Sequence, residues 1–195
     1  GITVPIVRAI AKKHQDIALT DLKKILRSSF HEERLLALLM LVLKSKRAGL
    51  EDRERFFRLY LSSTKCINNW DLVDLSAREV VGAYLRECPC PTLLPHLARS
   101  SNLWERRIAI VCTFEFIRHN EFKPTLRIAS LLLKDKHDLI HKAVGWMLRE
   151  VGKRDLQTEE QFLQKHYQNM PRTMLRYAIE RFPERKRKAY LKGSI

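Results

Sequence analysis

Apolar residues recur three and four positions apart along most of the chain, and short polar or proline-containing joints punctuate the pattern. Strand signatures are scarce. The spacing predicts an all-α protein with helices near 5–14, 18–28, 31–46, 51–65, 70–86, 92–100, 103–119, 123–134, 137–152, 158–168 and 171–182. The longest apolar run, LLALLMLVL at 35–43, has nine residues. That is about half the length needed to cross a bilayer, so it reads as a buried helix and no membrane association is expected.

The same periodicity repeats on a longer scale. HEERLLALL (31–39), LWERRIAIV (103–111), LIHKAVGWM (139–147) and TMLRYAIER (173–181) each place a basic residue ahead of small and large apolar residues at helix spacing. Aligning them sets Arg34, Arg107, Lys142 and Arg176 in one register, and NNWDLVDLSA joins it when Asp74 takes the basic slot. The successive intervals are 40, 33, 35 and 34 residues, within the range of helical pairs that stack as a solenoid. The expected architecture is a superhelix of stacked helical-pair repeats, a shorter outer helix preceding a longer inner one in each. Its concave face would carry a basic stripe, interrupted by Asp74, that can follow a phosphate backbone. The expected domain is one repeat array over 1–195. It begins so abruptly in a helix-like pattern that an upstream helical segment is expected to be missing, and GITVPIVRAIAKKH has no signal-peptide layout.

Charge sharpens this picture. With 37 Lys+Arg against 22 Asp+Glu, the chain carries a formal +15 and a pI near 10.0, a field that attracts polyanions. Four cysteines, Cys66, Cys88, Cys90 and Cys112, are too few for a secreted disulfide framework and suit a reducing intracellular setting. Cys88-Pro89-Cys90 with His96 does not make a four-ligand zinc spacing, so neither a metal nor a cofactor is expected. The tail RFPERKRKAYLKGSI reads as a solvated end whose cations lie in reach of phosphates, with Tyr190 stacked on a base or flat against the last helix.

Against this basic background stand Trp70, Asp71 and Asp74 at the start of one helix. Asp74 lies four residues after Trp70, on the same helical face, and Trp146 lies four residues after Lys142. Aromatic walls around a carboxylate stabilise a cation, and such a pocket beside phosphate-binding groups suits cleavage of a glycosidic bond, which develops oxocarbenium character on the sugar. A plainer reading stands beside it: Asp71 and Asp74 are acids favoured by a helix N-terminus that Asn69 caps. On that reading the tryptophans are core residues, and Arg107 is one end of an ion pair with Glu105 or with an acid on a neighbouring helix.

WDLVD at 70–74, NLWERRIAI at 102–110 and KAVGWMLRE at 142–150 resemble the signature stretches of the AlkD-type DNA alkylation repair enzymes, and the resemblance runs from GITVPIVRAIAKK through nearly the whole chain. It implies a superhelix of HEAT-like repeats and a DNA glycosylase that removes cationic alkylated purines such as 3-methyladenine and 7-methylguanine. It implies Asp74 as the catalytic carboxylate with Trp70 and Trp146 beside the lesion's sugar. Arg107 matches the family arginine that supports backbone binding, and Arg34, Lys142 and Arg176 of the basic register would contact DNA. No lysine takes a Schiff-base role, so the expected enzyme is a monofunctional hydrolase serving base excision repair without deep base flipping. Family members usually have further helical sequence before the VP-containing stretch. The expected partner is duplex DNA with alkylated bases, with no obligate protein partner, and the expected protein is a monomer, cytoplasmic and nucleoid-associated. Two other classes fit the same residues: a non-catalytic binder of damaged, bent or branched DNA, and a HEAT-type scaffold for an acidic protein.

Overall fold

The computed structural model describes residues 1–195 and is all-helical. Contacts gather the chain into two compact units, Gly1–Pro89 and Cys90–Ile195. The first contains α1 (Val4–Lys13), α2 (Leu19–Ile25), α3 (His31–Arg47), α4 (Leu50–Ser62), α5 (Trp70–Asp74), a π-helical turn at Arg78–Gly82 and α6 (Ala83–Glu87). The second contains α7 (Leu93–Ala98), α8 (Leu103–Val111), α9 (Phe114–Arg118), α10 (Lys123–Leu132), α11 (Asp138–Gly152), α12 (Leu156–His166), α13 (Arg172–Ala178) and α14 (Glu184–Lys192).

In unit one, α3 is the hub. Leu35, Leu38 and Leu41 are buried along it, α1, α2 and α4 pack against it, and the apolar run at 35–43 is the buried helix its composition predicts. In unit two, α8 packs on α11 and α11 on α13, so that Ile108, Ile110, Ile140, Val144, Met147 and Met174 form a continuous apolar interior. Neighbour-upon-neighbour packing of helices is how helical-pair repeats bury surface that no single pair can cover. No helix is long and apolar enough to cross a membrane, and all four cysteines are free thiols.

Two helices expected to run unbroken are interrupted, for the same physical reason. Over 70–86 the α5 helix ends at Asp74, and the chain then widens into the π-helical turn. The buried Ser76 hydroxyl bonds back to the Leu72 carbonyl at 2.5 Å and lies 2.9 Å from the buried Tyr60 hydroxyl. Over 103–119 the break falls at 112–113, where the Thr113 hydroxyl bonds to the Ile110 carbonyl at 2.6 Å. Hydroxyl side chains that take helix carbonyls compete with the backbone ladder and bend or end the helix.

The tail departs from its expected solvated state. Glu184–Lys192 is helical and ends at Gly193, whose φ of 76° is the left-handed cap that favours glycine. Tyr190 is buried against Tyr167 and Phe182, with ring centroids 5.5 and 5.7 Å away, so α14 is a packed helix that closes the end of unit two. Arg185 and Arg187 stay exposed on it.

The α11–α13 crossing is close because position 145 has no side chain. A Cβ there would collide with the Met174 carbonyl oxygen and stand 2.5 Å from the Tyr177 Cβ. Gly145→Ala therefore forces α13 outward and is expected to cost about 1–3 kcal/mol, lowering the thermal midpoint by about 2 °C or more. An unchanged midpoint in a circular-dichroism melt would show that the crossing has slack.

Gly152, at the end of α11, leaves room for the buried carboxyl of Glu159 from α12. Burial, reinforced by Glu160 and opposed by Arg149, pushes this carboxyl from an ordinary 4.5 up to about 8. The folded protein thus holds a proton that the unfolded chain has already released, and stability falls as pH rises from the ordinary carboxylate range to about 8. Glu159→Gln removes this loss. Its melting temperature relative to the wild type should climb by about 3 °C or more between pH 5 and 8 and level off above; a constant difference across that range would contradict the assignment.

Candidate functional site

The site in unit one is built at the N-terminus of α5. Asn69 caps the helix, its side-chain oxygen accepting the Trp70 N–H at 2.8 Å, as its sequence position predicts. Trp70 occupies the first turn with 53% of its surface exposed, an unusual cost for an indole in a folded chain. Asp74 follows one turn later and is half-buried, while Leu72 and Val73 between them face the core. Alternation of two buried residues with an exposed ring and a half-exposed acid sets Trp70 and Asp74 on the solvent-facing side of one short helix.

Two polar ties fix that helix to α3. The His31 Nε2 and the Asp71 Oδ2 lie 2.8 Å apart, and the other Asp71 oxygen accepts the Leu72 N–H at 2.9 Å. Arg34 donates one nitrogen to the carbonyls of Ser28 and Ser29 at 2.9 and 3.0 Å, and a second nitrogen to the Asn68 side chain at 3.1 Å. Asp71 is therefore a helix-start acid with a tertiary partner. Sequence spacing does not reveal His31, because its partner lies forty residues away.

Unit two places the remaining expected residues on α8, α11 and α13. Arg107 is 5% exposed and donates to the Leu139 carbonyl at 2.5 Å. On α11, Lys142 pairs with Asp138 at 2.7 Å; the hydrogen bond raises the amine's pKa and lowers the carboxyl's, with Thr173 adding a further bond to Asp138. Trp146 is half-buried, its Nε1 donating to Glu150 at 3.1 Å and its ring 6.0 Å from Phe114. Lys153 holds the same Glu150 oxygen at 2.6 Å, so the indole is oriented by an acid that is itself pinned. Arg176 is exposed on α13.

Helix starts correct the repeat register. The capping positions of α3, α5, α8, α11 and α13 are Phe30, Asn69, Asn102, His137 and Pro171. Counted from these, Asp74, Arg107, Lys142 and Arg176 are equivalent, as expected, but the residue equivalent to them in α3 is the buried Leu35. Arg34 stands one position earlier, with Arg106 and His141. Each of these three bonds to the loop before its own helix: Arg106 to the carbonyls of Ser100 and Ser101, both at 3.0 Å, and His141 to that of Asp135 at 2.6 Å. Arg106 also reaches the Asp135 carboxylate at 2.6 Å. One register thus ties loops down, and the next carries Asp74, Lys142 and Arg176 at half-buried or exposed positions together with the buried Arg107.

A family-wide sequence profile described as DNA alkylation repair enzyme matches residues 1–182. Among solved structures, the chain is similar to a protein described as a predicted DNA alkylation repair enzyme from Enterococcus faecalis, with 18% identity over 94% of this chain and 88% of that one, at a TM-score of 0.74. It is also similar to AlkD2 from Streptococcus mutans, with 18% identity, coverage of 94% and 92% and a TM-score of 0.65. A third similar structure is smu.31 from Streptococcus mutans UA159, with 19% identity, 93% coverage of both chains and a TM-score of 0.62. At such identities the likeness is one of fold. A search among curated proteins finds no match.

The burial of Arg107 and the exposure of Arg176 make separable predictions. Arg107→Met removes a buried charge-assisted hydrogen bond worth about 1.5–3 kcal/mol and should lower the melting midpoint by about 3 °C or more. Arg176→Met should leave it within about 1 °C. Equal midpoints for the two variants would mean that Arg107 does not brace α11.

Proposed function

The chain belongs to the DNA alkylation repair enzyme family, and on that footing we propose that it is a monofunctional DNA glycosylase that hydrolyses the N-glycosidic bond of cationic alkylated purines, 3-methyladenine and 7-methylguanine, in duplex DNA. The observation that carries the reading is the pairing of a half-exposed carboxylate, Asp74, with an exposed indole, Trp70, on one short helix of a protein of net charge +15.

An N3- or N7-alkylated purine already carries a positive charge and leaves as a neutral base, taking the bonding pair of the C1′–N bond. The sugar is left as an oxocarbenium ion. Asp74 stabilises that cation and orients the water whose oxygen bonds to C1′; the water's surplus proton passes to solvent, and an abasic site remains. Trp70 and Trp146 offer ring faces to positive charge. The pinned Glu150 keeps the Trp146 ring in one orientation.

The basic groups divide the remaining work. Lys142 and Arg176 meet backbone phosphates, while Arg34 and Arg107 support DNA binding by holding the segments that present the site. Because the leaving group is activated by its own charge, selectivity does not require a deep base pocket, and the enzyme acts without full extrusion of the nucleotide. The protein works as a monomer on DNA, within the cell, in base excision repair.

Release of 7-methylguanine from methylated duplex, followed by mass spectrometry, tests the proposal. Wild-type protein should release the base, and Asp74→Asn should slow release by about 100-fold or more while retaining duplex binding. Equal release by the two proteins removes Asp74 from the mechanism. Binding without release by the wild type favours a non-catalytic reader of damaged DNA.

A further inference from the structure

A cavity of about 330 Å³ opens in unit one among α1, α3 and the segment that follows Asp74. Its floor is apolar, from Leu39 and Leu75 among others, and its rim carries Arg8, Lys12, Lys46 and Arg78 with Glu79 as the one acid. Glu79 contacts Arg78 directly and lies 3.9 Å from Lys46. Arg8 and Lys12 sit one turn apart on α1, both exposed, and neither forms an ion pair. The cavity therefore has an excess of three positive charges over an apolar base.

Ordinary solvated lysines and arginines stand on convex surface. Here two observations mark a built concavity. Arg78 and Glu79 are mostly covered, with 24% and 15% of their side chains exposed, so this ion pair is held in place at the rim. Both belong to the π-helical turn, an i→i+5 widening that is rare and recurs at functional sites. The volume falls within the range of ligand pockets, about 300–1,000 Å³.

An occupant must offer anionic groups to the rim and C–H surface to the floor. A sugar–phosphate backbone does both. Leu75 and Arg78 lie one and four residues after Asp74, across the break that ends α5, so a strand passing Trp70 and Asp74 is led toward this cavity. We propose that the cavity is a backbone clamp in which Arg8, Lys12, Lys46 and Arg78 hold the sugar–phosphate of the DNA strand flanking the base whose bond is cut. The clamp rests on the DNA reading of Asp74 but not on its chemistry. Glu79 limits the local charge excess and holds Arg78 at the rim.

The test is the salt dependence of duplex binding, because each phosphate neutralised contributes about 0.9 to the slope of log affinity against log salt. Arg8→Gln with Lys12→Gln removes two exposed charges from the rim. Arg55→Gln with Arg58→Gln removes two from α4 that are already paired with Glu51 and Glu54. The rim pair should flatten the slope by about 1–2, and the α4 pair by less than about 0.5. Arg8→Lys with Lys12→Arg keeps both charges and should retain the wild-type slope, which separates charge loss from damage to α1. Equal slopes for the rim and α4 pairs overturn the clamp. A rim pair that loses binding of a free deoxynucleoside monophosphate yet keeps the wild-type duplex slope overturns it too, assigning the cavity to a small anion. Wild-type protein that binds duplex with a steep slope but releases no base sinks the glycosylase reading and leaves the clamp standing; no duplex binding at all sinks both.

Discussion

The link between α5 and α3 is the constraint on which the site in unit one depends. Alpha5 has only five residues, too few to hold its own geometry in water. It is held because Leu72 and Val73 are buried, His31 meets Asp71, and Arg34 spans from its own loop to Asn68. These contacts order the backbone so that the exposed Trp70 ring and the Asp74 carboxylate keep a fixed relation. A carboxylate that stabilises charge only in the transition state is effective when it is already oriented before the reaction. Placing the polar ties at Asn68 and Asp71, on either side of Trp70, leaves the indole face open.

The same division of labour recurs in unit two. Arg106 and His141 bond to the loops ahead of their helices, and Arg107 braces α11 through the Leu139 carbonyl. Lys142, Trp146 and Arg176 are then carried on helices whose positions are set by Gly145 and by buried apolar residues. Cationic side chains thus do two different jobs in this chain: buried or loop-bound ones fix the scaffold, and exposed ones supply the field that attracts a polyanion.

Much of this was legible in the sequence. Helical periodicity predicts the all-α class, Asn69 is recognisable as a cap, and Asp74, Arg107, Lys142 and Arg176 share a register that the helix starts bear out. What escaped is tertiary. The one-residue slip of Arg34 is visible only once the caps are located, since an arginine in either register fits the same apolar pattern. The breaks after Asp74 and at Thr113 arise from hydroxyls whose behaviour depends on buried surroundings, such as Tyr60 beside Ser76. The packed state of α14 depends on Tyr190 finding Tyr167 and Phe182, which a run of lysines and arginines conceals. The basic cavity joins residues 8, 12, 46 and 78, too dispersed for any motif.

The central claim is that the Asp74 carboxylate stabilises positive charge on the sugar. It is tested most directly by comparing duplexes that carry, at one position, either a cationic pyrrolidine in place of the deoxyribose or a neutral tetrahydrofuran. The account predicts that the wild-type protein binds the cationic duplex more tightly, by about tenfold or more, and that Asp74→Asn erases this preference while leaving affinity for the neutral duplex unchanged. A wild-type protein indifferent to the charge, or a preference that survives in Asp74→Asn, would contradict it.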